Sequence, residues 1–471
     1  MRRIDERGSH YGGDQTDIVT DRTTTRERIL IHRECIAEGT DMAGRIAVVG
    51  AGYVGLTTAA CLAMLGHRVI CADVDEAKVE RLSRGHVDIV EPRLPEIVRQ
   101  GLTSGRLRFV RAGAVADAEV IFLCLPTPMG VDGQANMTCF DNVALEVRDT
   151  LPNGSVLVIK STVPVGTAAR VAALLRQSDI GVVSNPEFLR EGFAVDDFLK
   201  PDRIVIGSDR ADTAQRVAAL YDSLAAPTLF TDTASAELVK YAANGFLAAK
   251  LSFVNEVAEL CERLGADIAA VTEGMGYDPR IGDSYLRPGP GWGGSCLPKD
   301  TAAALYMSKQ IGLELPLLQA IVRSNAEQKS RVVDRVRAAA GGALNGKRIG
   351  LLGLTFKAGT NDLRDSPALD VADQLASEGC ELAAYDPAVP GDVPGVTDGI
   401  TVVPDAYQAV KDADVVVLLT EWSTFRALDW ARVADLMAGR NVIDTRNLLD
   451  ANLLIESGLL HSGIGIRTPL Q

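Results

Sequence analysis

From Arg45 onward, short apolar runs alternate with amphipathic stretches. Residues 46–49 (Ile-Ala-Val-Val) predict a strand that stops at the turn Gly50-Ala-Gly-Tyr-Val-Gly55. Residues 56–66 predict a helix, 69–73 a second strand and 76–84 a second helix. Further apolar runs at 120–125, 156–159, 181–184 and 203–206 predict strands, with helical stretches between most of them. Strands that are apolar throughout are buried on both faces. Joined by helices, they build a parallel sheet with helices on each side.

The rhythm then changes. Residues 233–264 predict one long helix with few breaks. A Gly- and Pro-rich loop follows at 274–294, and then a helix at 298–312. No strand pattern interrupts this stretch up to about Asn325. The βα rhythm returns with a strand at 348–353, a helix at 366–378 and strands at 382–386, 415–419 and 441–444. The expected fold is α/β: two Rossmann-like parallel-sheet domains joined by a long central helix, with boundaries at 44–231, 232–326 and 327–471. Residues 1–43 are polar, mixed in charge and without a clean period. They read either as a disordered extension or as residues upstream of a true start at Met42.

Composition narrows the function. A chain of 471 residues exceeds one ordinary core. A formal net charge of −14 argues against a nucleic-acid partner. No apolar run reaches the roughly 18 residues that span a bilayer, and no signal-peptide core follows the first residues. No membrane partner and a cytoplasmic location are therefore expected. The 8 cysteines are scattered without a CxxC pair, so no metal clip is expected. Cys71 and Cys124 fall inside strands and read as small buried hydrophobes. None of the 5 histidines lies between His86 and His461. Acid–base chemistry in the middle of the chain must therefore use Lys, Asp, Glu, Cys or water.

Two motifs carry most of the chemistry. Gly50-x-Gly52-x-x-Gly55 follows a strand and opens a helix, and Asp73 ends the next strand 18 residues after Gly55. That context is a dinucleotide fingerprint. Gly50 permits the tight turn, Gly52 lets backbone approach a pyrophosphate, and Gly55 lets helix and strand pack closely. Asp73 would bind a ribose 2′-hydroxyl and repel a 2′-phosphate, favouring NAD over NADP. The bland alternative is a tight structural turn. The second motif is Gly293-Gly-Ser-Cys296-Leu-Pro298-Lys299-Asp300. Pro298 suits a first helical turn, so Cys296 would sit at a helix N-terminus, where thiolate is favoured. The paired glycines would leave room for a ligand to reach the sulfur. The alternative is an inert buried cysteine.

Other positions are weaker alone. Lys240 and Asn244 share a helical face and could bind a developing oxyanion; a solvated Lys and an ordinary Asn explain them as well. Asn185-Pro-Glu187-Phe-Leu-Arg-Glu191-Gly192 follows a strand, at the end of a parallel sheet where ligands bind, and its acids read equally as solvated. Thr127 and Ser161-Thr162 also follow strands, with turn chemistry as the alternative. Together the motifs imply a specific reaction. An alcohol can lose hydride to nicotinamide directly, whereas an aldehyde must first add a nucleophile, and a thiolate can do so. Hydride loss then leaves a thioester that water hydrolyses to the acid.

Gly50-AGYVG, Asn185-PEFLREG, Lys240-YAAN, Gly291-WGGSCLPKD and Thr355-FKAGTNDLRDSP occur in this order. They resemble the UDP-glucose/GDP-mannose dehydrogenase family from about Arg45 to near the C-terminus. The resemblance implies a four-electron oxidation of a UDP-sugar, UDP-glucose to UDP-glucuronate, with NAD as cofactor. It implies Cys296 as nucleophile, Lys240 and Asn244 on the oxyanion, Asp300 with a water in proton transfer, and Glu187 in thioester hydrolysis. Cofactor contacts are implied for Gly50, Gly52, Tyr53, Val54, Gly55, Asp73, Lys78, Thr127, Thr162, Glu191, Lys299 and Arg364. Substrate contacts are implied for Glu187, Phe188, Leu189, Lys240, Asn244, Tyr285, Leu286, Gly289, Gly293, Lys357 and Arg446. Arg280 matches a position that reaches a partner subunit's substrate, which implies a homodimer or higher homo-oligomer built on the long helices. GDP-mannose and UDP-N-acetylmannosamine are the alternative substrates. A non-catalytic NAD-binding regulator is the alternative of another class.

Overall fold

The computed structural model describes residues 45–466, apart from 113–114, 116–117, 131 and 176–178. The expectation about residues 1–43 lies outside the described residues.

Two sheets organise the chain. The first contains β1 (Arg45–Val49), β2 (Arg68–Asp73), β3 (Leu107–Arg111), β4 (Val120–Leu123), β5 (Val156–Ile159), β6 (Gly181–Ser184), β7 (Ile204–Gly207) and β8 (Thr228–Thr231). Their spatial order is β3-β2-β1-β4-β5-β6-β7-β8. The second contains β9 (Arg348–Leu352), β10 (Glu381–Tyr385), β11 (Ile400–Val402), β12 (Val415–Leu418), β13 (Asn441–Asp444) and β14 (Leu460–Gly463), in the order β11-β10-β9-β12-β13-β14. Both sheets thus run third-second-first-fourth-fifth-sixth, the doubly wound order with a switch point beside the first strand. The two domains are copies of one architecture although their sequences show no clean repeat.

The apolar runs form strands because both faces are covered. Ile46 and Val48 belong to one core cluster, while Ala47 and Val49 belong to the cluster on the opposite face. In the second sheet Val415 and Val417 face one core, and Val416 and Leu418 the other. The strand expected at 203–206 is β7, but it meets β6 antiparallel, through Ser184 and Gly207, so the first sheet is not wholly parallel. Strands β3, β8, β11 and β14 were not predicted. Each lies at an edge of its sheet, where polar residues such as Arg108, Thr228, Thr401 and His461 interrupt the apolar pattern.

Among the described residues between the sheets, three long helices pack together. With α1 assigned to Tyr53–Met64, they are α2 (Thr233–Leu264), α3 (Leu297–Gln310) and α4 (Pro316–Ala339). Helix α2 has 32 residues, about 48 Å of rise. Asp232 caps its start by accepting from Ser235 N, and Gly265 ends it at φ 75°. Helices α3 and α4 both pack on α2. Helix α4 was missed: its inner face mixes Val332, Val333 and Val336 with buried Asn325 and Gln328, which blurs the helical stripe.

Candidate active site

The fingerprint turn passes a steric test glycine by glycine. Gly50 sits at φ 98°, and a Cβ there would lie 2.4 Å from Cys124 O. A Cβ at Gly55 would lie 1.8 Å from Gly50 O, so only glycine lets α1 pack against the turn. A Cβ at Gly52 would meet nothing within 4 Å, which leaves the α1 N-terminus open to an anion. At the end of β2, Asp73 accepts from Ala51 N at 2.8 Å and Asp75 N at 3.0 Å, and Lys78 Nζ lies 3.2 Å away. Burial alone would raise this carboxyl, but those donors outweigh it and hold it below the usual range. These residues fit a dinucleotide with a free ribose 2′-hydroxyl. Val54 packs onto the neighbouring core. The Tyr53 hydroxyl meets Glu91, and both accept from Gly192 N, at 2.6 and 2.8 Å. Thr127 Oγ1 donates to Thr162 O at 2.9 Å.

The next residues leave the end of β6. Lys240, on α2, reaches back to this loop, and its Nζ lies 2.9 Å from Glu187 Oε1. Glu187 also accepts from Leu189 N at 2.6 Å. Burial would push this carboxyl up, but Lys240 above all, then Leu189 N and Lys160, hold it below the usual range. Burial would lower the Lys240 ammonium, but Glu187, Cys296 and Asp300 more than compensate and raise it. One turn on, Asn244 Nδ2 donates to Asp300 Oδ2 at 2.6 Å, while Lys299 Nζ holds Asp300 Oδ1 at 2.5 Å. Phe188 lies under the Arg203 guanidinium, 3.7 Å from its ring centre. Glu237, a turn before Lys240, accepts from Gly166 N and Ala168 N at 2.6 and 2.8 Å. It thereby ties α2 to the helix Thr167–Leu174 of the first domain.

Cys296 is the N-cap residue of α3, with Pro298 in its first turn. The helix start favours the thiolate, but burial raises the thiol, Glu187 and Asp300 add to the rise, and Lys240 only partly opposes it. The glycines also serve packing. A Cβ at Gly293 would lie 2.0 Å from Asp365 O, and one at Gly294 would lie 2.7 Å from the Phe356 ring. They admit the second domain's loop against the cysteine loop.

That second-domain loop brings the remaining candidates in. Lys357 Nζ donates to Glu191 O at 2.5 Å, and Thr360 Oγ1 donates to the Glu191 carboxylate at 3.1 Å. Arg446, two residues past β13, donates to Phe356 O at 3.0 Å and pairs with Glu421 at 3.1 Å. Its guanidinium would lie 3.2 Å from a Cβ on Gly289. Gly289 itself is pinned by Asn255 and Gln328, both at 2.8 Å. Leu286 is buried and Tyr285 is strained at φ 62°. Lys357 and Arg446 therefore stand past carboxyl ends of second-sheet strands, facing the 285–294 loop, and suit a nucleotide diphosphate. Arg364 pairs with Asp362 and lies 3.8 Å from Glu191. Arg280 stands apart: it is 87% exposed and pairs with Asp278. Among the described residues there is no His/Cys/Asp/Glu cluster fit for a metal.

Several residues went unnoticed in the sequence. Glu91, Lys160, Arg203 and Glu237 carried no motif, and Asp362 lay within the 355–367 motif without being singled out. An acidic residue in an apolar helix face, as at Glu237, was the one readable signal.

A fingerprint turn at the switch point of one of two doubly wound domains fits an NAD-dependent dehydrogenase. Comparison with known proteins agrees. Three models of the UDP-glucose/GDP-mannose dehydrogenase family match: the NAD binding domain at 44–225, the central domain at 234–327 and the UDP binding domain at 350–451. A UDP-glucose 6-dehydrogenase of Rhizobium meliloti is 41% identical over 89% of this chain and 99% of its own. One from Pseudomonas aeruginosa is 40% identical over 89% and 97%. The solved UDP-glucose dehydrogenase of Pyrobaculum islandicum matches with TM-score 0.81 and 38% identity, covering 89% of this chain and 97% of its own. The chain belongs to the UDP-glucose/GDP-mannose dehydrogenase family and is an NAD-dependent nucleotide-sugar dehydrogenase.

Proposed function

We propose that this enzyme oxidises UDP-glucose to UDP-glucuronate through a thioester on Cys296. The observation that carries the reading is the buried cluster of Glu187, Lys240, Asn244 and Asp300 around that thiol. The choice of sugar is supported by relatives named for UDP-glucose. NAD+, when bound, accepts a hydride in each of two oxidations.

The chain's own groups do the rest. Lys240 and Asn244, one turn apart, donate to the sugar oxygen as negative charge develops on it. Asp300, with a water, takes the hydroxyl proton in the first oxidation. The Cys296 thiolate adds to the aldehyde carbon, and the adduct oxygen sits on the same donors. Loss of hydride leaves the thioester. Glu187 then removes a proton from the attacking water, and the acid and the thiol are released. Because Cys296, Lys240 and Asp300 occur together, nothing motivates a non-catalytic reading.

The assembly is a homodimer formed across α2. Phe246, Phe253 and Leu260 recur at seven-residue spacing along one face and are 67, 53 and 53% exposed. Arg280 then serves the partner's substrate. Among the described residues no helix is long and apolar enough to cross a membrane. A cytoplasmic location suits a reaction that needs a reduced thiol. The test is NADH formation with a panel of nucleotide sugars. UDP-glucose should give two NADH per acid formed; faster turnover of GDP-mannose or UDP-N-acetylmannosamine would overturn the substrate assignment.

A further inference from the structure

The thioester reading requires Cys296 to lose its proton, and among the described residues no imidazole acts on it. The nearest carboxylates are already committed. Glu187 accepts from Lys240 and Leu189 N, and Asp300 accepts from Lys299 and Asn244. The sulfur's hydrogen-bond contact among the described residues is Ser295 Oγ, at 3.6 Å. Ser295 Oγ in turn lies 2.9 Å from Glu191 Oε1. A serine has one hydroxyl hydrogen, and an ionised carboxylate can only accept. Ser295 therefore spends its hydrogen on Glu191, and its lone pairs are what it offers the thiol.

We propose that Ser295 and Glu191 form a proton relay that ionises Cys296. The S–H bond breaks as its proton bonds to Ser295 Oγ. The serine O–H bond breaks as that proton bonds to Glu191 Oε1. No electron changes hands, and the products are a thiolate, an intact serine and a neutral carboxylic acid. The inference rests on the thioester reading but concerns a different step.

Charge favours the transfer at the acceptor end, whereas at the sulfur Glu187 and Asp300 oppose it and Lys240 offsets them in part. The groups facing Cys296 are Glu187, Lys240, Asp300, Tyr285 and Arg364. Of these, Lys240 and Arg364 favour the thiolate. Facing Glu191 are Asp362, Arg364 and Lys357, the last through the Glu191 carbonyl. Burial first, and Asp362 second, push the Glu191 carboxyl up, so it is a better proton acceptor than an ordinary glutamate. Glu191 comes from the first domain, Ser295 from the central segment, and Thr360 and Asp362 from the second domain. The relay is complete only while all three meet.

The test is iodoacetamide labelling of the ligand-free enzyme across pH, with Cys296 followed by peptide mass spectrometry and exposed Cys139 as internal reference. In the wild type, labelling of Cys296 should extend to lower pH than in either relay variant. In Glu191→Gln and Ser295→Ala, labelling at neutral pH should fall about tenfold and return only at alkaline pH, a shift of about one unit or more. Ser295→Thr, which keeps the hydroxyl, should restore it. Superimposed profiles for wild type, Glu191→Gln and Ser295→Ala, or failure of the threonine to rescue, would overturn the relay. Labelling needs no turnover, so it is read independently of whether Cys296 carries the acyl group.

Discussion

Lys240 and Glu187 form a buried ion pair, Nζ to Oε1 2.9 Å, with side chains only 5 and 6% exposed. It joins the central helix to the loop after β6 and holds the proposed oxyanion donor against the proposed base of the last step. Breaking such a pair on one side leaves an unpaired buried charge and costs about 3–5 kcal/mol. Lys240→Met should therefore lower both stability and turnover, the latter by about a hundredfold or more. The double variant Lys240→Met/Glu187→Gln should regain most of the stability and none of the activity. Denaturant unfolding and NADH formation read the two separately. Glu187 is held below the ordinary carboxylate range. The pair's contribution should therefore be complete at neutral pH and fade as pH drops below about 4.

The fingerprint glycines should fail in different ways. Gly52→Ala meets nothing within 4 Å, so the ligand-free enzyme should keep its melting temperature while NAD+ binding weakens. Gly55→Ala drives a methyl to 1.8 Å from Gly50 O, so it should destabilise the fold itself, by about 1–3 kcal/mol or more. Calorimetry with and without NAD+ separates the two. Equal melting temperatures for both variants would contradict the packing described.

Much of this was legible because certain rules are local. The strands of both sheet centres could be read from unbroken apolar runs, since both faces are covered. The turn at Gly50 could be read because each glycine answers a separate steric need. Edge strands such as β8, whose residues are largely exposed, carried no such pattern. Helix α4 was hidden by Asn325 and Gln328, which face inward to hold the backbone of Trp292 and Gly289. The packing role of Gly293 and Gly294 could not be read because their neighbours, Asp365 and Phe356, lie some 60 or more positions away in the chain. Cofactor residues follow from sequence adjacency; the charge balance at Cys296 depends on tertiary neighbours.

Asp73 should set the cofactor. Its carboxylate is fixed by Ala51 N and Asp75 N, where a ribose 2′-phosphate would meet negative charge. kcat/KM for NAD+ should exceed that for NADP+, and Asp73→Asn should narrow the ratio by about tenfold or more, one pair of like charges having been removed. Equal efficiencies in the wild type would refute this role.

Polar substitution on α2 should dissociate the enzyme. Phe246→Ser with Phe253→Ser removes two exposed aromatics from one face and leaves the buried face of α2 intact. Light scattering should then report monomer where the wild type reports dimer. Arg280→Ala should raise KM for the sugar more than for NAD+, because among the described residues Arg280 pairs with Asp278 alone and its side chain is 87% exposed. A wild type that is monomeric at assay concentration would end this proposal.

Cys296→Ser should separate the two oxidations. The first hydride leaves an alcohol carbon and needs no thiol. The second needs a tetrahedral adduct, and the surroundings of this position disfavour any anion there except one facing Lys240. A serine hydroxyl ionises far less readily than a thiol, so the adduct should form poorly. Any ester that does form is a weaker acyl donor than a thioester, and Glu187 would have a harder hydrolysis to assist. The variant should stall with bound aldehyde or a slow acyl ester, yielding one or two NADH per site and negligible turnover. The fold should survive, because Cys→Ser opens almost no cavity and Cys296 lies at a helix cap rather than in a core cluster. Substrate and NAD+ binding should persist. A single-turnover NADH burst with intact-protein mass spectrometry reads both the stoichiometry and the adduct. Steady conversion to the acid near the wild-type rate would show that Cys296 does not carry the acyl group.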